Sequence, residues 1–117
     1  MTSNLKIKDS KIIKLLSELE EQLIKVFNDR LKKVILFGSY AKGNNDDESD
    51  IDIMVLVDEK DLKKYDDVIL DLTVDLSIKY AILPSIFLEN SENFLEYRNY
   101  RPLFRNIYEE GIELYAA

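Results

Sequence analysis

The 117-residue chain has no cysteine and no histidine. The first absence removes disulfides and thiolate metal sites, and it is compatible with a reducing compartment. The second removes imidazole as general base, nucleophile or zinc ligand, so any catalysis must run on carboxylates and metal. Tryptophan is absent as well, and there are only three glycines and two prolines. No apolar run approaches membrane-spanning length and no signal peptide opens the chain, so the expectation is a cytoplasmic protein without a membrane partner. Lys and Arg number 16 against 23 Asp and Glu, a formal net charge of -7. That balance argues against a long nucleic-acid ligand, whose affinity comes from neutralising phosphates with basic side chains. A small nucleotide escorted by a divalent cation remains compatible with it. The hydrophobic share of 46% and charged share of 33% describe an ordinary globular chain, and the length predicts one domain over 1–117.

What the chain does have is one organising stretch. Val34-Ile35-Leu36-Phe37 is an uninterrupted apolar run, the mark of a strand buried on both faces. Gly38-Ser39 then turns the chain out of the sheet, where small residues let backbone approach a ligand. After the acidic loop Asn44–Glu48, which reads as solvated, the chain re-enters as Asp50-Ile51-Asp52-Ile53-Met54-Val55-Leu56-Val57. Strand alternation puts Asp50 and Asp52 on one face, their alpha carbons roughly 6.5 Å apart. Carboxylates so spaced can converge on metal ions about 3.5–4 Å apart, as phosphoryl transfer requires. No Lys or Arg lies between Gly43 and Glu59 to neutralise them. Two paired acids without a cation are costly on an apolar strand, which favours a metal over a merely solvated strand end.

Two other motifs fail. Gly38 and Gly43 have P-loop spacing, but Asn44-Asn45 replace the required Lys and Ser/Thr. An EF-hand loop starting at Asp50 would need glycine where Val55 stands.

Gly38-Ser39 followed by Asp50-Ile51-Asp52 resembles the hallmark of the nucleotidyltransferase superfamily that includes DNA polymerase beta. The fuller string Gly-Ser-x-Ala-Lys-Gly…Ser-Asp-Ile-Asp resembles its small prokaryotic branch, the minimal nucleotidyltransferases. Only residues 36–53 carry that resemblance specifically. It implies a polymerase beta-like α/β (α+β) fold, a small mixed sheet flanked by helices. It also implies that Gly38 and Ser39 hold the triphosphate of ATP and that Asp50 and Asp52 bind two magnesium ions. Lys42 stands where the family usually has Arg, keeping a cation for phosphate, although a plain surface lysine is an equal reading. Ser49 supports the acid turn. The family's third acid lies on a neighbouring strand, and Asp75 is the candidate for it. Stand-alone members resemble antitoxins that transfer AMP to a tyrosine of a HEPN-domain RNase toxin, which makes such a toxin the implied partner. Larger relatives carry a further domain for base or acceptor, so here something else must supply the acceptor. The alternatives are a module that masks the toxin by binding alone, and a transferase for a small aminoglycoside-like molecule.

Elsewhere the pattern predicts a helix from Ser10, capped by Asp9 or Ser10, with Ile12, Leu16, Leu19, Leu23 and Val26/Phe27 on one face. A short second helix follows the Gly-Ser turn through about Gly43. Asp58 reads as the cap of a helix over roughly 59–71, with Asp71 at its end. Val74-Asp75-Leu76-Ser77-Ile78 alternates like a strand, which would set Asp75 level with the other two acids. Pro84 marks the end of the sheet-forming part, and Leu83–Leu88 reads as a helical turn. Helices are expected from Ser91 or Asn93 and from Pro102 to about Glu110, closed by Gly111. Ile112–Tyr115 forms an edge strand or lies along the surface. The aromatic and Arg residues between Tyr97 and Tyr108 read first as a packing face flanked by solvated arginines, second as a partner surface.

Overall fold

A computed structural model describes residues 7–46 and 49–117. Helix α1 (Ser10–Phe27) begins where the Asp9 carboxylate accepts the Lys11 N–H at 2.9 Å, the expected cap. Ile12, Leu15, Leu16, Leu19, Leu23 and Phe27 are buried along one stripe. Asn28, at a φ of 51°, turns the chain out of the helix. Strand β1 (Leu31–Phe37), the single turn α2 (Ser39–Lys42) and strand β2 (Ile51–Val57) follow as the sequence predicts.

The middle of the chain departs from expectation. Helix α3 runs from Asp66 to Tyr80 and absorbs the segment that alternates like a strand. Leu72 and Leu76, four residues apart, are buried against the α1 core. Val74 is 45% and Ile78 78% exposed, so the apparent alternation came from apolar residues on a helix surface. Asp58 does not cap this helix; its N–H bonds to the Arg30 carbonyl at 2.8 Å. The next strand, β3 (Pro84–Asn90), lies where a helical turn was expected. Pro84 opens it rather than ending the sheet, a position where the missing N–H costs no ladder bond. Helices α4 (Ser91–Tyr97), α5 (Pro102–Glu110) and strand β4 (Ile112–Ala116) agree with expectation, with Pro102 in the first turn of α5. Gly111 caps α5 at φ -66°; its glycine is required by space, since a Cβ would sit 2.5 Å from both the Ile107 carbonyl and Ile35 Cγ2.

The sheet order is β3-β2-β1-β4. β1 is antiparallel to β2 and to β4, whereas β2 and β3 are parallel, joined by the α3 crossover. It is a mixed sheet with helices on both faces, the α/β arrangement predicted. Ile51, Ile53, Val55 and Val57 face α1 and α3. Ile35, Met54 and Leu56 face Phe94 of α4 and Phe104 and Ile107 of α5. Cover on both sides explains why the β1 and β2 runs are apolar without interruption. Asp52 has the parity of Met54, so its side chain belongs to the α5 side, at the end where β1 leaves the sheet.

Candidate active site

Register assembles the site. Phe37, the last residue of β1, pairs with Asp52 on β2, and Asp52 pairs on its other side with Ser85 of β3. Gly38 follows Phe37 with φ 76° and ψ -153°, a combination that favours glycine. A side chain could not be accommodated in any case, because a Cβ on Gly38 would fall on Oδ2 of Asp52. The turn and the carboxylate are therefore packed against each other.

Asp50, just before β2, is exposed, and Asp52 is half-buried. Burial pushes the Asp52 carboxyl above the usual aspartate range, and the negative charge of Asp50 adds to the shift. Among the described residues no ion pair joins either acid to a Lys or Arg. Two neighbouring carboxylates, one partly desolvated and neither paired with a described Lys or Arg, suit a hard divalent cation with oxygen ligands.

The other predicted residues fall into three positions. Ser39 opens α2 directly after Gly38. Lys42 closes that turn and pairs with Glu110 of α5 at 3.6 Å, both side chains exposed. Ser49 accepts the Asp46 N–H at 2.9 Å and donates to Asp46 Oδ1 at 3.2 Å, closing the loop that delivers Asp50. Asp47 and Glu48 of the acidic loop lie outside the described residues.

Asp75 is not brought to the site. It lies on α3 and, with Asp71, borders a cavity between α1 and α3. That helix covers the face of the sheet opposite the Asp52 side chain, so the expected placement on a strand beside β2 does not hold. Among the described residues no group of three or more acids is gathered that could hold a metal ion. The position level with Asp52 on the next strand belongs to Ser85, which the sequence reading missed. Reading Pro84 as the first residue of a strand, followed by Ile86-Phe87-Leu88, was the available signal.

The sequence matches the family described as "Polymerase beta, Nucleotidyltransferase" over residues 11–117. The chain belongs to that family. As a polymerase beta-like nucleotidyltransferase it is an enzyme of nucleotidyl transfer, and its stretch from Gly38 to Asp52 is the part of the chain that the family resemblance singles out. Among proteins similar to it, one from Methanocaldococcus jannaschii named "Putative protein adenylyltransferase" is 38% identical over 102 residues, 87% of this chain and 96% of the relative. Another of the same name and organism is 40% identical over 74 residues, 63% of this chain and 75% of that protein. A solved structure described as a toxin–antitoxin with AMP-PNP has a similar fold, with a TM-score of 0.55 and 21% identity, covering 95% of this chain and 75% of that one.

The tail between Tyr97 and Tyr108 packs largely on itself. Arg98 lies over the Tyr108 ring at 5.0 Å, and Arg101 lies 5.3 Å from the Tyr97 ring and 5.4 Å from that of Phe104. Phe104 is buried in the core, as the packing reading expected.

Proposed function

We propose that this nucleotidyltransferase transfers AMP from ATP to a tyrosine hydroxyl of a partner protein, and that the partner is a toxin of the HEPN class silenced by the modification. The observation that carries the transfer reading is the Asp52 carboxylate, half-buried beside Asp50 and packed against Gly38, with no Lys or Arg among the described residues paired to it. The names of the relatives support protein adenylylation, and the toxin–antitoxin origin of a solved chain with this fold supports the kind of partner.

In this reading the Gly38-Ser39 turn receives the β- and γ-phosphates, with the first N–H groups of α2 directed at them. Lys42 lies close enough to the turn to release Glu110 and meet a phosphate. Asp50 and Asp52 would hold magnesium, which supplies neutralisation of the triphosphate charge. Asp50 and Asp52 would fit one such ion, and no further acid among the described residues joins them. The acceptor oxygen bonds to the α-phosphorus, the bond to the β-phosphate oxygen breaks, and pyrophosphate leaves. The hydroxyl proton passes to solvent.

Alpha-labelled ATP and magnesium, incubated with the protein and a co-purifying helical partner, test this directly. Label on the partner that disappears with Asp52→Asn is the expected result. A tight complex that carries no label would replace transfer with masking by binding.

A further inference from the structure

The order of the strands divides the substrate's parts among them. The turn that receives pyrophosphate ends β1, and the acids that flank the α-phosphate stand at the head of β2. An in-line displacement sets the entering oxygen opposite the leaving one. Across β2 from β1 lies β3, the edge of the sheet, one strand spacing of about 4.8 Å away. We propose that the acceptor enters over β3, with its hydroxyl held at Ser85 and an aromatic ring seated against Phe87; this rests on the transfer reading above.

Three observations support that route. Ser85 is level with Asp52 in the parallel register, so a hydroxyl beside it faces the reacting phosphorus. Phe87, two residues along on the same face, is 44% exposed although it makes a tilted ring contact with Phe37 at 5.7 Å. An open cavity of about 440 Å³ adjoins it, bounded also by Leu103, Phe104 and Arg101. Its walls are apolar around Phe87, Leu103 and Phe104 and charged at Arg101, Asp66 and Glu89, a mixture that suits a ring with a polar tip. A ring resting on the Ser85 side of Phe87 directs its phenol oxygen along the strand toward Ser85. A serine or threonine offers no ring to rest on Phe87, so the arrangement favours a phenol. Ser85 offers the entering hydroxyl a hydrogen-bond partner without adding a third negative charge beside Asp50 and Asp52.

The test is an amide NMR titration of the intact protein with two probes, magnesium α,β-methylene-ATP, whose α,β bridge cannot be cleaved, and N-acetyl-tyrosinamide. The nucleotide should move the amides of Gly38, Ser39 and Asp50–Asp52. N-acetyl-tyrosinamide, added to the nucleotide-bound protein, should move Ser85–Phe87 and Leu103. Phe87→Ala should weaken tyrosinamide binding about two- to tenfold, the worth of one ring contact, with nucleotide affinity unchanged. Ser85→Ala should retain both ligands while lowering AMP transfer to the phenol. Tyrosinamide shifts elsewhere, or none at all, would overturn the route. So would shifts of Ser85–Phe87 by the nucleotide alone, which would make the β3 shelf a seat for the base. A nucleotide that leaves Gly38 and Asp50–Asp52 unmoved would instead overturn the transfer reading itself, whatever happens at β3.

Discussion

At the scale of single residues, Asp52 sets function against stability. Burial and Asp50 raise its carboxyl pKa, so the ionised form that the proposed cation site requires is the form the fold disfavours. Asp52→Asn removes that cost. Transfer should fall by more than about 100-fold, since even partners of metal ligands are worth 10–100-fold. The metal-free variant should nevertheless melt above wild type at neutral pH. The sign follows from the raised pKa: wild type recovers stability as pH falls through that value, so the two melting curves converge below the ordinary aspartate value of 3.8. A variant that melts below wild type at neutral pH would show that Asp52 is stabilised by contacts rather than strained by them. Gly38→Ala acts on the same carboxylate from the other side. Its Cβ would displace Asp52 Oδ2 at a backbone angle that disfavours side chains, so nucleotide-dependent transfer should be lost together with about 1–3 kcal/mol of stability in urea titration. Gly38, Ser39, Asp50 and Asp52 were legible because a turn and an alternating strand act over neighbouring residues. Ser85 was not, since its place beside Asp52 is fixed by a pairing 33 positions away in sequence, reached through a crossover helix.

At the scale of elements, α3 shows why a short alternating pattern misleads. Val74, Leu76 and Ile78 satisfy a period of two, while Leu72 and Leu76 satisfy a helical period, and five residues cannot separate the two. The sheet already had strands to bury its α1 face; what it needed there was a helix to cover them. The two readings predict different mutational costs. A strand with all three residues inward would lose comparable stability at each. The helix predicts that Leu76→Ala costs about 2–5 kcal/mol, the range for buried leucine truncation. Ile78→Thr, at a position 78% exposed, should stay within about 0.5 kcal/mol. Urea midpoints at constant slope would measure both. By contrast α1 and α5 were legible in advance, because a cap and an amphipathic stripe pointed to the one, and a proline start and a glycine end to the other.

At the scale of the whole molecule, a surplus of acid must be managed where elements meet. Glu18 of α1 and Lys79 of α3 pair at 2.8 Å and tie together the two helices that cover one face of the sheet. The hydrogen bond from Lys79 holds the Glu18 carboxyl below its usual value, and Glu18 raises the Lys79 ammonium in return. The depressed carboxyl contributes stability that is fully present above 4.5 and lost as pH falls through its lowered value. The raised ammonium contributes stability that is fully present below 10.5 and lost as pH climbs through its raised value. The tie therefore holds across the neutral range and fails at both extremes. Glu18→Gln should lower the melting temperature at neutral pH, and the gap to wild type should close below about pH 4, the ordinary range of a glutamate. A gap that persists unchanged into acid would mean that Glu18 acts through packing. Because the α1–α3 layer lies across the sheet from Asp52, the same variant should leave nucleotide affinity at Gly38–Asp52 unaltered. A parallel loss of that affinity would show that the helical layer and the catalytic end of the sheet behave as one mechanical unit.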